Sequence, residues 1–135
     1  LRRQRQMCIR DRGKATQFVM ILDALQLRLL EKIRSDLAGY SVVRSTSPLD
    51  NRAIWLEIFA GGIHKGNSCQ TLLKKLNINC KEVAGLGNDY NDIDFLDICA
   101  EAYLVANAPV NLQRHYKLVK SDKEEGFTEF ISKVL

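Results

Sequence analysis

Gly85-Leu86-Gly87-Asn88-Asp89-Tyr90-Asn91-Asp92-Ile93-Asp94 places three aspartates and two asparagines between two apolar runs. The run before it, with Glu82 to Leu86, reads as a short buried strand. The run after it makes Tyr90 to Ala100 a helix with Ile93, Leu96 and Ala100 turned inward. A strand end rich in side-chain oxygens has two readings. One acid caps free N–H groups and faces the positive end of the helix dipole. That accounts for one carboxylate, not for Asn88, Asp89, Asn91 and Asp92 together. A hard cation such as magnesium takes oxygen ligands, keeps several waters, and needs only one or two protein carboxylates. Such an ion would draw a phosphate into the same crevice. Both readings stand on spacing alone.

The segments around it set the architecture. Cys69, Leu72, Leu73 and Leu76 recur at helical spacing, so Asn67 to Leu76 is read as a helix. Lys65 stands at its start, in GGIHKGNS. A cation there opposes the helix dipole at about 0.3–1 kcal/mol. It is either a solvated surface lysine or one held for a ligand. Ala102 to Ala106 and His115 to Val119 read as strands. Phe127, Phe130, Ile131 and Val134 make an amphipathic C-terminal helix. Alternation of this kind predicts a parallel sheet covered by helices. In such sheets ligands sit beyond the carboxyl ends of the strands, where Asn88 to Asp92 lie.

Upstream the rhythm differs. Gln17 to Leu22 reads as a strand, and Asp23 with Gln26 has capping-box spacing for a helix that runs to Gly39. That helix carries Leu25, Leu29, Leu30, Ile33 and Leu37. Tyr40 to Thr46 and Ala53 to Phe59 read as a hairpin around the turn residues Ser47 to Asn51. The whole is a β-α-β-β unit, and Ala60-Gly61-Gly62 marks a boundary after it.

The chain has 135 residues and net charge +4. Six basic residues in positions 1–14, against Asp11, hold that excess, and the rest is close to neutral. No aromatic is interleaved with the arginines, which argues against a nucleic-acid partner. RQRQMCIRDR resembles translated linker sequence, so residues 1–14 are expected to be a non-native basic tail. No C-x-x-C pair joins Cys8, Cys69, Cys80 and Cys99, so zinc spacing is absent. Cys69 and Cys99 are expected to be small core residues. No apolar run reaches the roughly 18 residues of a membrane span. With no leader visible, a cytoplasmic protein with reduced thiols is expected.

Two segments together resemble a known family. HKGNSCQTLL (His64 to Leu73) and GLGNDYNDIDFL (Gly85 to Leu96) are similar to the third and fourth motifs of haloacid dehalogenase superfamily phosphatases. The resemblance is to the sugar-phosphate phosphatases with an inserted α/β cap. AEAYLVANAPVNLQRHYKLVKSDKEEGFTEFI is similar to that family's tail, with Asn107-Ala108 after a strand and Gly126 before the last helix. The similarity is strong over Leu56 to Leu135 and weaker over Gln17 to Trp55.

The resemblance implies a magnesium-dependent phosphomonoester hydrolase with a small phosphorylated substrate. Lys65 would neutralise charge on phosphate and nucleophile. Asp92 would ligate magnesium directly or through water, and Asn91 would orient phosphate or a metal-bound water. Asn88 stands where the family has its first aspartate, so Asn88 or Asp89 would complete the metal set. The nucleophile motif D-x-D-x-[TV] is absent. Asp92-Ile93-Asp94 has the spacing but lies in a helix, and Asp23 has Leu25 where the motif needs its second Asp. The expected division is therefore a basic tail over 1–14, the closing part of an α/β cap over 15–60, and the second half of a Rossmann-like core over 61–135. The chain would be a C-terminal fragment, inactive alone. A phosphotransferase or mutase of the same superfamily, or a non-catalytic α/β binding module, are the alternatives.

Overall fold

The computed structural model describes residues 15–47 and 53–135. Residues 1–14, and Pro48 to Asn51 of the expected turn, lie outside the described residues. Chain order is β1 (Gln17–Asp23), α1 (Leu29–Asp36), β2 (Tyr40–Thr46), β3 (Ala53–Ala60), α2 (Lys65–Leu76), β4 (Ala84–Gly87), α3 (Ile93–Leu96), β5 (Glu101–Val105), α4 (Val110–Gln113), β6 (Lys117–Val119) and α5 (Gly126–Val134). The chain is a mixed α/β fold with a parallel sheet and covering helices.

The first sheet is antiparallel with order β1-β3-β2, so β3 takes the centre and both neighbours pair along it. Strand side chains alternate between faces. One face of this sheet meets α1: Leu22, Leu30, Ile54 and Leu56 form a buried cluster, with Ile33 and Val42 against it. By register the other face carries Gln17, Val19 and Ile21 of β1, Trp55, Glu57 and Phe59 of β3, and Val43 and Ser45 of β2. The expected helix from Asp23 onward is broken. The Asp23–Gln26 box forms, with Asp23 N donating to Gln26 Oε1 and Leu25 N to Asp23 Oδ1. It closes only a 3-10 turn over Ala24–Gln26. Leu25 is consequently exposed, and the α-helix proper starts at Leu29.

The second sheet is parallel with order β4-β5-β6. Its core joins Leu96, Tyr103, Leu104, Val105, Ala108, Leu112, Val119 and Phe130. Phe130 of α5 meets Tyr103 edge-on, ring centres 5.4 Å apart. Gly85 and Gly87 let α3 lie directly on β4. A Cβ at Gly87 would sit 2.8 Å from Asp92 Cβ and 2.9 Å from Leu96 Cδ1. The two glycines of the opening stretch thus press the acidic turn onto the strand end.

Several expected elements shift. Tyr90–Ala100 is a 3-10 turn, Tyr90–Asp92, followed by the single turn of α3. The chain tightens after Leu96, where Cys99 N donates to Leu96 O. Ala100 N then donates to Val83 O at 2.9 Å, which begins β5 and leaves Ala100 exposed rather than inward. β4 starts at Ala84 because Asn79 and Glu82 form a capping box that draws Cys80–Glu82 into a 3-10 turn. Of the stripe on α2, Leu72 and Leu76 are 54% and 56% exposed. Periodicity marks an apolar face but not what covers it.

Cys69 and Cys99 are half-buried. Burial first, then the neighbouring Cys69 and Cys80 thiols, push the Cys99 thiol from 9.0 up to about 11. The native state therefore holds this proton more tightly than the unfolded chain does. Its contribution to stability is complete below about pH 9 and is lost as pH rises toward 11. Denaturation midpoints measured across that range should fall less steeply in Cys99→Ala than in the parent. Parallel curves would refute the assignment.

Candidate active site

The turn after β4 is built by two carboxylates that serve its backbone. Asp92 Oδ2 accepts from Asn88 N at 2.8 Å and Asp89 N at 3.1 Å. Asp89 Oδ1 accepts from Tyr90 N at 2.7 Å. Each acid closes the turn for the other, so the capping reading of the sequence is realised. Asp92 is 5% exposed. A buried carboxylate needs charge-compensating partners, and its second oxygen, Oδ1, takes the ammonium of Lys65.

Lys65 reaches Asp92 because α2 approaches the turn closely. Lys65 is the first residue of α2, after His64 at the N-cap position. Gly66 follows, and a Cβ there would meet Asp94 O at 2.5 Å. Only glycine allows the start of α2 to sit this close to α3. The Lys65 side chain is half-exposed. Its ammonium thus bridges a buried acid and open space. His64 Nδ1 lies 3.1 Å from Asp94 Oδ2, within ion-pair reach but not aligned as a hydrogen bond.

These groups form one wall of a cleft of about 550 Å³. Ile63, His64, Lys65, Ser68, Asn91 and Asp92 lie on this wall; Val43, Glu57 and Phe59 come from the antiparallel sheet. Leu86 and Phe95 complete the lining. The volume is that of an ordinary small-molecule site. Asn91 Oδ1 is buried and has no hydrogen-bond partner. An orphaned buried acceptor next to Asp92 is costly unless a ligand or water completes it.

Asp89 points elsewhere. Thr46 N and Thr46 Oγ1, at the end of β2, donate to Asp89 Oδ2 and Oδ1 respectively. Arg44 of β2 stacks over the Tyr90 ring, 3.6 Å from its centre. Tyr90 Oη donates to Asn111 Oδ1 at 2.7 Å. The acidic turn therefore straps the antiparallel sheet to the parallel one, beside the cleft that Val43, Glu57 and Phe59 help line.

Of the expected site residues, Lys65, Asn91 and Asp92 meet at the cleft. Asn88 is exposed, with its backbone N–H on Asp92. Asp89 is engaged by Thr46 and Tyr90. Among the described residues, no group of three or more His, Cys, Asp or Glu side chains could hold a metal ion. Asp92 and the orphaned Asn91 oxygen do fit a hydrated hard cation, which needs few protein oxygens. Thr46, Arg44, Glu57 and Phe59 escaped the sequence reading. They lie far away along the chain, and only the strand register brings them to the site.

The family description for haloacid dehalogenase-like hydrolases matches residues 7–131. The chain belongs to that family. The match begins inside the basic tail, at residue 7. A candidate phosphatase of Streptococcus pyogenes serotype M6 is 27% identical over 95 residues. That covers 70% of this chain and 33% of the relative. The chain spans about a third of the length of the curated relatives it matches. A haloacid dehalogenase-like hydrolase of Bacillus subtilis has the same fold, with TM-score 0.77 at 16% identity. It covers 96% of this chain and 45% of the hydrolase. A sugar phosphatase of subclass IIB gives TM-score 0.72 at 13% identity, over 90% of this chain and 44% of that one.

The strap has a measurable consequence. Asp89→Ala removes acceptors for Thr46 and Tyr90 in a buried position, which should cost about 1–3 kcal/mol. Urea denaturation checks this, and a loss below about 0.5 kcal/mol would contradict the strap.

Proposed function

We propose that this chain carries the lysine and acid half of a phosphomonoester hydrolase site. The whole protein would act on a small, sugar-phosphate-like substrate in the cytoplasm. The carrying observation is the Lys65–Asp92 pair, at the mouth of a cleft beyond the carboxyl end of β4. Lys65 would bind the phosphoryl oxygens and stabilise charge that grows on them during transfer. Asp92 holds the ammonium in place and would also hold magnesium, with Asn91 Oδ1 and the exposed Asn88 beside it. Asp89 and Asp92 both have each oxygen engaged, Asp89 by Thr46 and Tyr90 and Asp92 by Lys65 and two backbone N–H groups, but only Asp92 lines the cleft. When bound, magnesium would neutralise phosphate charge. The phosphoryl group would pass first to an aspartate and then to water.

No D-x-D-x-[TV] motif occurs in these 135 residues. We read residues 15–60 as the closing part of a cap and 61–135 as the second half of the core, with the nucleophile supplied by sequence outside them. No helix among the described residues is long and apolar enough to cross a membrane.

In the whole protein, Lys65→Ala and Asp92→Ala should each lower turnover of a sugar phosphate by about 10²–10³, the usual effect of losing one such stabilising group. Phosphate release followed in steady state tests this. Near-parental turnover in either variant would overturn the assignment. The 135-residue chain by itself should release no phosphate above background; chelator-sensitive hydrolysis by it would contradict the division of the site.

A further inference from the structure

The antiparallel sheet contributes Val43, Glu57 and Phe59 to the cleft that Lys65 also lines, and of these three Glu57 is the charged one. Glu57 sits on the central strand β3, between Val19 of β1 and Val43 of β2 in the register. Two neutral donors fix it. Gln17 Nε2 donates to Oε2 and Ser45 Oγ to Oε1, both at 2.8 Å. Among the described residues no ion pair includes Glu57, whereas Lys65 is already paired with Asp92. A carboxylate offers about four lone-pair sites. An amide and a hydroxyl use two, hold the group in place, and leave its charge unneutralised.

We infer that Glu57 is the specificity residue for the organic part of the substrate. Its free lone pairs accept hydroxyl or ammonium hydrogens, and its charge rejects a second anionic group. This rests on the phosphatase reading of the opposite wall. A phosphomonoester entering the cleft is oriented by two opposed charges. The phosphate goes to Lys65 and away from Glu57, and the ester's organic end meets the sheet. Phe59, two residues along the same face, offers apolar surface for the C–H side of a sugar ring. A neutral or amino sugar monophosphate meets both walls with the right sign. A bisphosphate of the same size places an anion against a carboxylate in a confined site, where charge is poorly screened. Like-charge juxtaposition is a strong device for excluding wrong ligands.

Trp55 is the one tryptophan of the chain and lies two residues from Glu57 on the same face. Its fluorescence, together with calorimetry, reports binding to the 135-residue chain without any turnover. The probes are inorganic phosphate, glucose 6-phosphate and fructose 1,6-bisphosphate, in magnesium-containing buffer. The expected order in the parent is glucose 6-phosphate tightest, by about tenfold over inorganic phosphate, as for a hydrogen bond to a charged group. The bisphosphate binds more weakly than glucose 6-phosphate despite its greater charge. Glu57→Gln should reduce that gap by about tenfold or reverse it. If inorganic phosphate binds and Lys65→Ala abolishes it, yet the bisphosphate binds as tightly as glucose 6-phosphate in the parent, the inference fails and the phosphate site stands. If inorganic phosphate binds neither the 135-residue chain nor the whole protein, both readings fall. The comparison within the parent decides the matter even where Glu57→Gln does not fold.

Discussion

The Asp92 carboxylate is the constraint on which the rest of the site depends. One oxygen gathers the backbone N–H groups of Asn88 and Asp89, and the other takes the Lys65 ammonium. A single buried charge thus shapes the turn after β4 and sets the position of the first residue of α2. Neither role survives without the close packing that glycine permits. Gly87 lets Asp92 and Leu96 lie on the strand, and Gly66 lets α2 lie against Asp94. Capping the turn and pairing with Lys65 are not rival explanations of this acid. The cap is what buries the carboxylate, and the burial is what makes a fixed lysine necessary.

Asp89 extends the same logic to the other sheet. Its oxygens close the turn at Tyr90 and bind the end of β2 through Thr46, while Arg44 stacks on Tyr90. The cleft therefore has two walls tied together at one edge by the motif itself. Lys65 and Glu57 line one cleft, large enough for a small ligand. The two sheets keep separate apolar clusters, and the acidic turn joins them beside the cleft through Thr46 and Arg44.

Much of this is legible in the sequence because it is local. The strand, the acidic turn and the lysine at a helix start are each marked by residues within a few positions of one another. The hairpin of β2 and β3 follows from alternation, and the β-α-β rhythm after Gly62 predicts the parallel sheet. What the sequence hides is non-local. Glu57 reads as one polar residue in an alternating strand, and Thr46 as a strand terminus; only the strand register and the contact of β2 with the acidic turn bring them to the cleft and the strap. Helix lengths also fail where a backbone donor finds a better partner. Ala100 leaves the expected helix because Val83 O is available to it. Leu72 and Leu76 show the converse, a good apolar stripe with no cover among the described residues.

The most direct test of the central claim is a crystal structure of this protein grown with inorganic phosphate and magnesium. The account predicts phosphate within hydrogen-bond distance of Lys65 Nζ, with the cation on Asp92 and Asn91 Oδ1. Phosphate bound elsewhere, with the Lys65–Asp92 pair undisturbed and Asn91 completed only by water, would contradict it.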